Sequence, residues 1–195
     1  MNHQSDQYYI KQVLEGDVNA FSTLVERYQN LVYTVIYRIV RNKEEAEEIA
    51  QDTFIKAYKS LSNYRGEAKF STWLYTIAYR KSLDAIKTKK RFVATELIEE
   101  ISEGEVTNVN DALSYLQDKE RKQIISDSIL KLPEEEAVIV TLYYFEEKSV
   151  KEIKAIVGIT ENNIKIKLYR SRKKLYSILK YHISPEINTS NGRAI

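Results

Sequence analysis

Apolar residues recur every three or four positions along most of this chain, as on one face of an α-helix, and nowhere alternate as in a β-strand. One such run comprises Phe21, Leu24, Val25, Tyr28, Val32, Val35, Ile36 and Ile39. A second comprises Ala46, Ile49, Ala50, Phe54, Ala57 and Leu61. A leader helix from Asp6 to Glu15 and a long helix from about Ser71 to Arg91 complete four predicted helices. This pattern predicts an all-α protein.

The helical periodicity fades at Phe92 and resumes near Ala112. Residues 92–118 carry seven acidic side chains and no basic one, and Ser, Thr, Asn and Gly accumulate among them. A segment with this charge repels itself, and the loss of helical periodicity together with this composition predicts a flexible linker. We therefore expect two small helical domains at 1–91 and 119–182, an acidic flexible linker at 92–118, and a tail at 183–195.

The composition disfavours several classes of function. The chain has no cysteine, which excludes disulfides, thiolate nucleophiles and Cys-ligated zinc. It also lacks a glycine-rich phosphate loop and metal-ligand spacing, so we expect no enzymatic activity, no cofactor and no small-molecule substrate. No apolar stretch approaches the roughly 20 residues that span a bilayer. We expect a cytoplasmic protein that does not insert into membranes.

A helix-turn-helix is predicted near the C-terminus. Ser149 and Glu152 form a capping-box pattern, Gly158 supplies a turn, and Thr160 can cap a last helix that reaches about Tyr181. At 100° per residue, Ile164, Leu168, Ser171 and Leu175 fall on one face and should be buried. The early residues of the other face should meet base edges and the later ones phosphates. These candidates are Glu161, Asn162, Asn163, Lys165, Ile166, Tyr169, Arg170, Arg172, Lys173 and Lys174.

A second candidate nucleic-acid surface lies in the N-terminal domain, where the loop 62–70 combines aromatic, amide and cationic side chains and the next helix carries a polar, basic stripe. Aromatic faces and amide donors suit unpaired bases, although aromatic residues such as Tyr64, Phe70 and Trp73 more often serve core packing. The candidates are Asn63, Tyr64, Arg65, Lys69, Phe70, Thr72, Trp73, Thr76, Arg80 and Lys87.

The helix between these features has a strongly anionic first half, formed by Glu44, Glu45, Glu47, Glu48 and Asp52. DNA would be repelled there. The acids either compensate the helix dipole or surround a protein-docking face, for which Gln51, Asp52 and Phe54 are candidates.

Two segments of the chain closely resemble regions 2 and 4 of bacterial sigma factors of the extracytoplasmic-function (ECF) class. They are EEAEEIAQDTFIKAYKSLSNYRGEAKFSTWLYTIAYRKSLDAIKTKKR and LPEEEAVIVTLYYFEEKSVKEIKAIVGITENNIKIKLYRSRKKL. The resemblance implies a subunit that binds core RNA polymerase and promoter DNA, with an anti-sigma factor as a further partner of many relatives. It assigns polymerase docking to Glu48, Gln51, Asp52 and Phe54.

The same resemblance implies that the loop at 62–70 and the following helix capture an unpaired base of the −10 element, and that 161–172 read the duplex −35 element. It also implies that the acidic linker passes through the RNA exit region. Lys154 departs from the family pattern, which often has alanine there, and its charge must face solvent or phosphate. Arg80 departs as well, in the part that reads the −10 element.

Two other functions remain open on the residues alone. A two-domain helix-turn-helix regulator would bind a palindromic duplex without being a polymerase subunit. A helical mimic of a sigma factor would need none of the basic stripe formed by Lys69, Arg80 and Lys87.

Overall fold

The computed structural model of the protein describes residues 4–90 and 118–183, and within these ranges the chain is helical and contains no β-strand. The helices are α1 (Asp6–Leu14), α2 (Ala20–Val40), α3 (Lys43–Lys59), α4 (Phe70–Lys90), α5 (Asp118–Leu130), α6 (Glu134–Val140), α7 (Val150–Val157) and α8 (Glu161–Ile183). No helix in the described ranges has the length and apolar character needed to cross a membrane.

The N-terminal unit is the predicted set of four helices, with α2 at its centre. This helix packs against α1, α3 and α4. Its apolar stripe, which includes Leu24, Val32 and Ile36, is fully buried. The α3 helix begins after Asn42, whose side chain accepts a hydrogen bond from the backbone N–H of Glu45 at 2.8 Å. The cap expected from the sequence is therefore present.

The C-terminal unit contains α5 to α8. Three glutamates occupy the first turn of α6, where the helix dipole favours them. Beyond α6 the backbone widens into a π-helical turn, Thr141–Phe145, that the periodicity did not predict. Both halves of the predicted capping box are formed before α7: the N–H of Ser149 donates to Glu152, and the N–H of Glu152 donates to Ser149. Gly158 then ends α7 with a left-handed φ of 78°.

The two units pack directly against each other. Helix α4 lies on α7 and α2 lies on α6, so that buried residues of both units form one continuous core. Buried Arg38 donates to the carbonyl of Ser126 at 3.0 Å and to its hydroxyl at 3.2 Å. Arg41 donates to the carbonyl of Leu132 at 2.6 Å. Two arginines at the end of α2 thus hold the first helices of the C-terminal unit.

The predicted linker at 92–118 lies outside the described residues apart from Asp118, where α5 begins. The predicted tail at 183–195 lies outside them apart from Ile183.

Candidate nucleic-acid interface

The helix-turn-helix has the side-chain distribution that its sequence predicts. Ile164, Leu168 and Ser171 are buried, and Leu175 packs partly against the core. The predicted DNA-facing residues of α8 are exposed, except for Lys173 and Lys174, which are half-buried. The Lys173 ammonium lies 5.2 Å from the centre of the Tyr169 ring. The exposed ones are Glu161, Asn162, Asn163, Lys165, Ile166, Tyr169, Arg170 and Arg172. This face is free to enter a DNA groove.

The N-terminal end of α8 is held by the turn that precedes it. The N–H of Asn163 donates to the Thr160 hydroxyl at 3.3 Å, as expected for a capping residue. The Nζ atom of Lys154, in the last turn of α7, lies 3.7 Å from Oε1 of Glu161. The first helix therefore contacts the recognition helix through an ion pair as well as through apolar packing.

The opposite side of α8 is anchored to the first turn of α6. Buried Glu136 accepts hydrogen bonds from the Ser171 hydroxyl at 3.3 Å and from Lys174 Nζ at 3.4 Å. Lys167 pairs with Glu135 at 2.7 Å. The prediction that Lys174 holds phosphate is not supported by this arrangement, because its ammonium already neutralises a carboxylate inside the unit.

The loop before α4 is organised around Tyr64. Its hydroxyl donates to the carbonyl of Ala68 at 2.7 Å, and its ring lies 5.7 Å from that of Phe70 and 5.4 Å from that of Trp73. Gly66 sits between these anchors with a φ of 74°, a conformation that L side chains rarely adopt. The loop is thus a compact turn over an aromatic cluster.

The candidates in this loop and on α4 differ in accessibility. Asn63, Arg65, Lys69, Arg80 and Lys87 are exposed. Tyr64, Trp73 and Thr76 are half-buried. Phe70 and Thr72 are each only 2% exposed, so the structure does not present them to a ligand. Phe70 is buried by core packing against Tyr28 and the loop aromatics. Thr72 lies on α4 next to Ser71, whose hydroxyl accepts a hydrogen bond from Lys148 of the C-terminal unit.

Three polar contacts join the candidate −10 surface to the C-terminal unit. The Nζ atom of Lys69 lies 3.1 Å from Oε1 of Glu152. Lys148 donates to the Ser71 hydroxyl at 3.0 Å and stands 5.6 Å from the centre of the buried Tyr75 ring. Beside these contacts is a cavity of about 640 Å³ lined by residues of α1, the loop, α4 and the segment 146–148. The surface formed by the loop and α4 is therefore in direct contact with the C-terminal unit near the start of α7.

The predicted docking residues of α3 lie beside a groove of about 620 Å³ between α2 and α3. Phe54 and Gln51 line it, while Glu48 and Asp52 are exposed on α3 and Asp52 pairs with Lys81 at 2.8 Å. Tyr33 and Ile55 also line the groove, and Ile55 is 52% exposed. Sequence reasoning missed Ile55, although its position off the buried stripe of α3 is a signal that could have identified it.

Within the described part of the chain, no group of three or more His, Cys, Asp or Glu side chains could hold a metal ion.

Two known families match separate parts of the chain. Residues 24–92 match the family described as sigma-70 region 2, and residues 122–175 match sigma-70 region 4. The ECF RNA polymerase sigma factor SigW of Bacillus subtilis is 36% identical over 175 residues, which cover 85% of this chain and 92% of that protein. The chain belongs to the ECF sigma factors. The family resemblance identified from the sequence is thus confirmed.

Other relatives of this ECF sigma factor are more distant. The ECF RNA polymerase sigma-E factor of Haemophilus influenzae is 31% identical over 175 residues, covering 87% of this chain and 92% of that protein. The RNA polymerase sigma-H factor of Pseudomonas aeruginosa is 29% identical over 180 residues, with coverages of 89% and 93%. Family membership makes the protein a promoter-recognition subunit of RNA polymerase, and the alternative of an independent regulator is not needed.

Two solved structures share the fold of this ECF sigma factor. The sigma factor RpoE, in its complex with the anti-sigma factor NepR from Bartonella quintana, aligns with a TM-score of 0.64 at 19% identity, over 84% of this chain and 98% of that one. CnrH, in complex with the cytosolic domain of CnrY, aligns with a TM-score of 0.57 at 19% identity, over 91% and 98%. At this identity the likeness concerns the fold.

Proposed function

We propose that this ECF sigma factor binds core RNA polymerase through the α2–α3 groove, reads a duplex −35 element with α8, and captures melted −10 DNA with the loop 62–70 and α4. The observation that carries the proposal is the exposed face of α8, where cationic and amide side chains stand opposite a fully buried apolar side. Such a face suits the major groove of duplex DNA, whose base edges offer donors and acceptors.

The −10 surface suits a different form of DNA. Opening a duplex costs about 1.4 kcal/mol per stacking step, and stacking one unpaired base on an aromatic side chain returns roughly 1–3 kcal/mol. Tyr64 and Trp73 keep half-exposed rings at this surface, with the exposed cations Arg65 and Lys69 nearby. Several contacts must act together to keep the duplex open, and the polymerase supplies part of them.

The α2–α3 groove supports a protein partner. Its floor is apolar at Phe54 and Ile55, and Glu47, Glu48 and Asp52 give its surroundings negative charge. A basic amphipathic helix of the polymerase would meet both properties. The solved relatives RpoE and CnrH are each bound to a regulatory protein or its cytosolic domain, so a protein inhibitor is a proposed further partner. In this role the protein performs no chemistry and works in the cytoplasm, where polymerase and chromosome lie.

Run-off transcription with core polymerase on a library of genomic fragments tests this function. The wild-type chain should direct transcription from a defined set of fragments with asymmetric promoters. Asn163→Ala should reduce this transcription by weakening contact with the duplex −35 element. Arg80→Ala should reduce it by weakening contact with the melted −10 strand. If no fragment is transcribed above the level of core polymerase alone, the proposed function is wrong.

A further inference from the structure

The first residue of the recognition helix is a carboxylate with a fixed cationic neighbour. Glu161 opens α8, and its Oε1 atom lies 3.7 Å from Nζ of Lys154 on α7. The side chains are 47% and 56% exposed, so both remain accessible to DNA. They stand together on the wall of a shallow groove of about 450 Å³ that Lys151 and Thr160 also line. The ion pair therefore belongs to the surface that faces a bound duplex.

A carboxylate at the start of the recognition helix is best matched to one base, cytosine. In the major groove cytosine presents only its N4 amino group, a donor, whereas guanine presents two acceptors. A carboxylate is acceptor-only, so it pairs with the cytosine amino group and is repelled by guanine. Adenine also presents an amino donor, but its N7 acceptor lies beside it and lowers the fit to a carboxylate, and thymine presents an acceptor and no donor.

The same carboxylate is in an unfavourable electrostatic position. Phosphates line both edges of the major groove, and an unpaired negative charge between them raises the free energy of the complex. The Lys154 ammonium neutralises Glu161 without contacting the base. The ion pair involves Oε1, so Oε2 remains available to accept a hydrogen bond from a base. Lys154 thus removes repulsion and restricts the rotamers of Glu161 at once.

From this geometry we infer that Lys154 is a positioning residue that enables Glu161 to select cytosine at one position of the −35 element. The inference rests on the proposed function of α8 in −35 recognition. It replaces the expectation that Lys154 serves only solvent or phosphate. Lys151 provides the comparison, because it is an exposed lysine of the same helix and groove that has no ion pair among the described residues.

The test uses holoenzyme reconstituted from core polymerase and the full chain. Templates carry a −35 element randomised at each position, and run-off transcripts are sequenced to obtain base preference. Lys154→Ala should lower the cytosine preference at a single position by about five- to tenfold, within the range of one base contact. Lys154→Arg should retain it. Lys151→Ala should reduce transcription from all templates alike and flatten its salt dependence, as a phosphate contact does.

Glu161→Gln separates positioning from a direct role of Lys154. Glutamine pairs with adenine, so this variant should move the preference at that position from cytosine to adenine. In the Glu161→Gln background, adding Lys154→Ala should change base preference no further. The inference is wrong if Lys154→Ala lowers transcription from all templates uniformly, or if it has the same effect with and without Glu161. In either case, promoter-specific transcription by the wild type would still support the proposed function. If the wild type itself shows no promoter specificity, the proposed function fails first.

Discussion

The Glu152 carboxylate serves two parts of the molecule. It accepts hydrogen bonds from the N–H of Ser149 at 2.9 Å and from its hydroxyl at 2.7 Å, and it pairs with Lys69 of the other unit. Partial burial alone would raise its pKa. The hydrogen bonds from Ser149 and the Lys69 ammonium outweigh that effect and lower the pKa of Glu152 to about 2. The charged form of this side chain is therefore favoured by folding.

This depressed pKa makes stability depend on acidity in a defined window. Above pH 4.5, the ordinary value, Glu152 is charged in both states and its full contribution is present. As the pH falls toward about 2, the unfolded chain takes up a proton before the folded one does, and the contribution is lost. As the pH falls through this window, the free energy of unfolding measured with urea should decrease less for Glu152→Gln than for wild type. Exposed Glu67→Gln should behave as wild type; equal acid sensitivity of wild type and Glu152→Gln would contradict the assignment.

Ile55 is an apolar residue whose side chain is not packed into the core of the folded protein. It is 52% exposed beside the α2–α3 groove. Burying an aliphatic side chain of this size in an interface contributes roughly 1.5–3 kcal/mol. Ile55→Asp should therefore weaken binding to core polymerase at least about tenfold, measured by fluorescence anisotropy of labelled chain, with unchanged thermal unfolding. Val18→Asp is the matched control, because Val18 is also exposed and lies away from the groove. Equal losses in both variants would exclude a specific role for Ile55.

At the scale of elements, the turn of the helix-turn-helix depends on one backbone conformation. Gly158 has a φ of 78°, and a Cβ added there would meet no atom within 4 Å. The cost of Gly158→Ala is thus backbone strain alone, about 1–2 kcal/mol. Urea unfolding should show this loss, and the altered turn should reduce transcription that depends on the −35 element. Gly158→Asn should recover part of both, because asparagine tolerates the left-handed region. A Gly158→Ala protein as stable as wild type would contradict the argument.

Most elements follow from local sequence signals, and the exceptions have physical causes. Periodicity predicts α2, α3, α7 and α8 because each helix buries a regular apolar stripe. Capping residues add to the prediction for α3, α7 and α8, which start at side chains that accept backbone hydrogen bonds. The π-helical turn Thr141–Phe145 has no such signal. Its residues continue the apolar composition of α6, and only tertiary packing decides where the extra residue is inserted.

The sequence predicts which side chains of the candidate site are exposed, but it does not predict which residues of the two units contact each other. The exposed face of α8 follows from the helical period, since the apolar side determines which residues remain outside. By contrast, the contact of Lys148 with Ser71 depends on the C-terminal unit lying over α4. Nothing in the sequence distinguishes Arg38 from the other basic residues, yet in the fold it is 7% exposed and hydrogen-bonded to Ser126. No local pattern encodes such pairings.

At the scale of the whole molecule, contact between the two units should compete with single-stranded DNA for the proposed −10 surface. Thr72 is covered, and Ser71 and Tyr75 beside it are engaged by Lys148. A strand that binds along this part of α4 must displace the C-terminal unit first. The free energy of that separation lowers the apparent affinity for single-stranded DNA, because only the open fraction of molecules can bind.

Lys148→Ala should therefore strengthen binding of an oligonucleotide that carries the single-stranded −10 sequence. Removing the bond to Ser71 and the contact with Tyr75 takes about 1 kcal/mol from the closed arrangement, which corresponds to roughly fivefold tighter binding in fluorescence anisotropy. Lys151→Ala removes the same charge from the same unit without touching α4, so it controls for the loss of general attraction to DNA. The radius of gyration from small-angle scattering should rise for Lys148→Ala alone. Losing a cation ordinarily weakens DNA binding. A gain in affinity seen for Lys148→Ala alone would therefore indicate separation of the two units. A loss that matches that of Lys151→Ala would show that the two units do not compete with the strand.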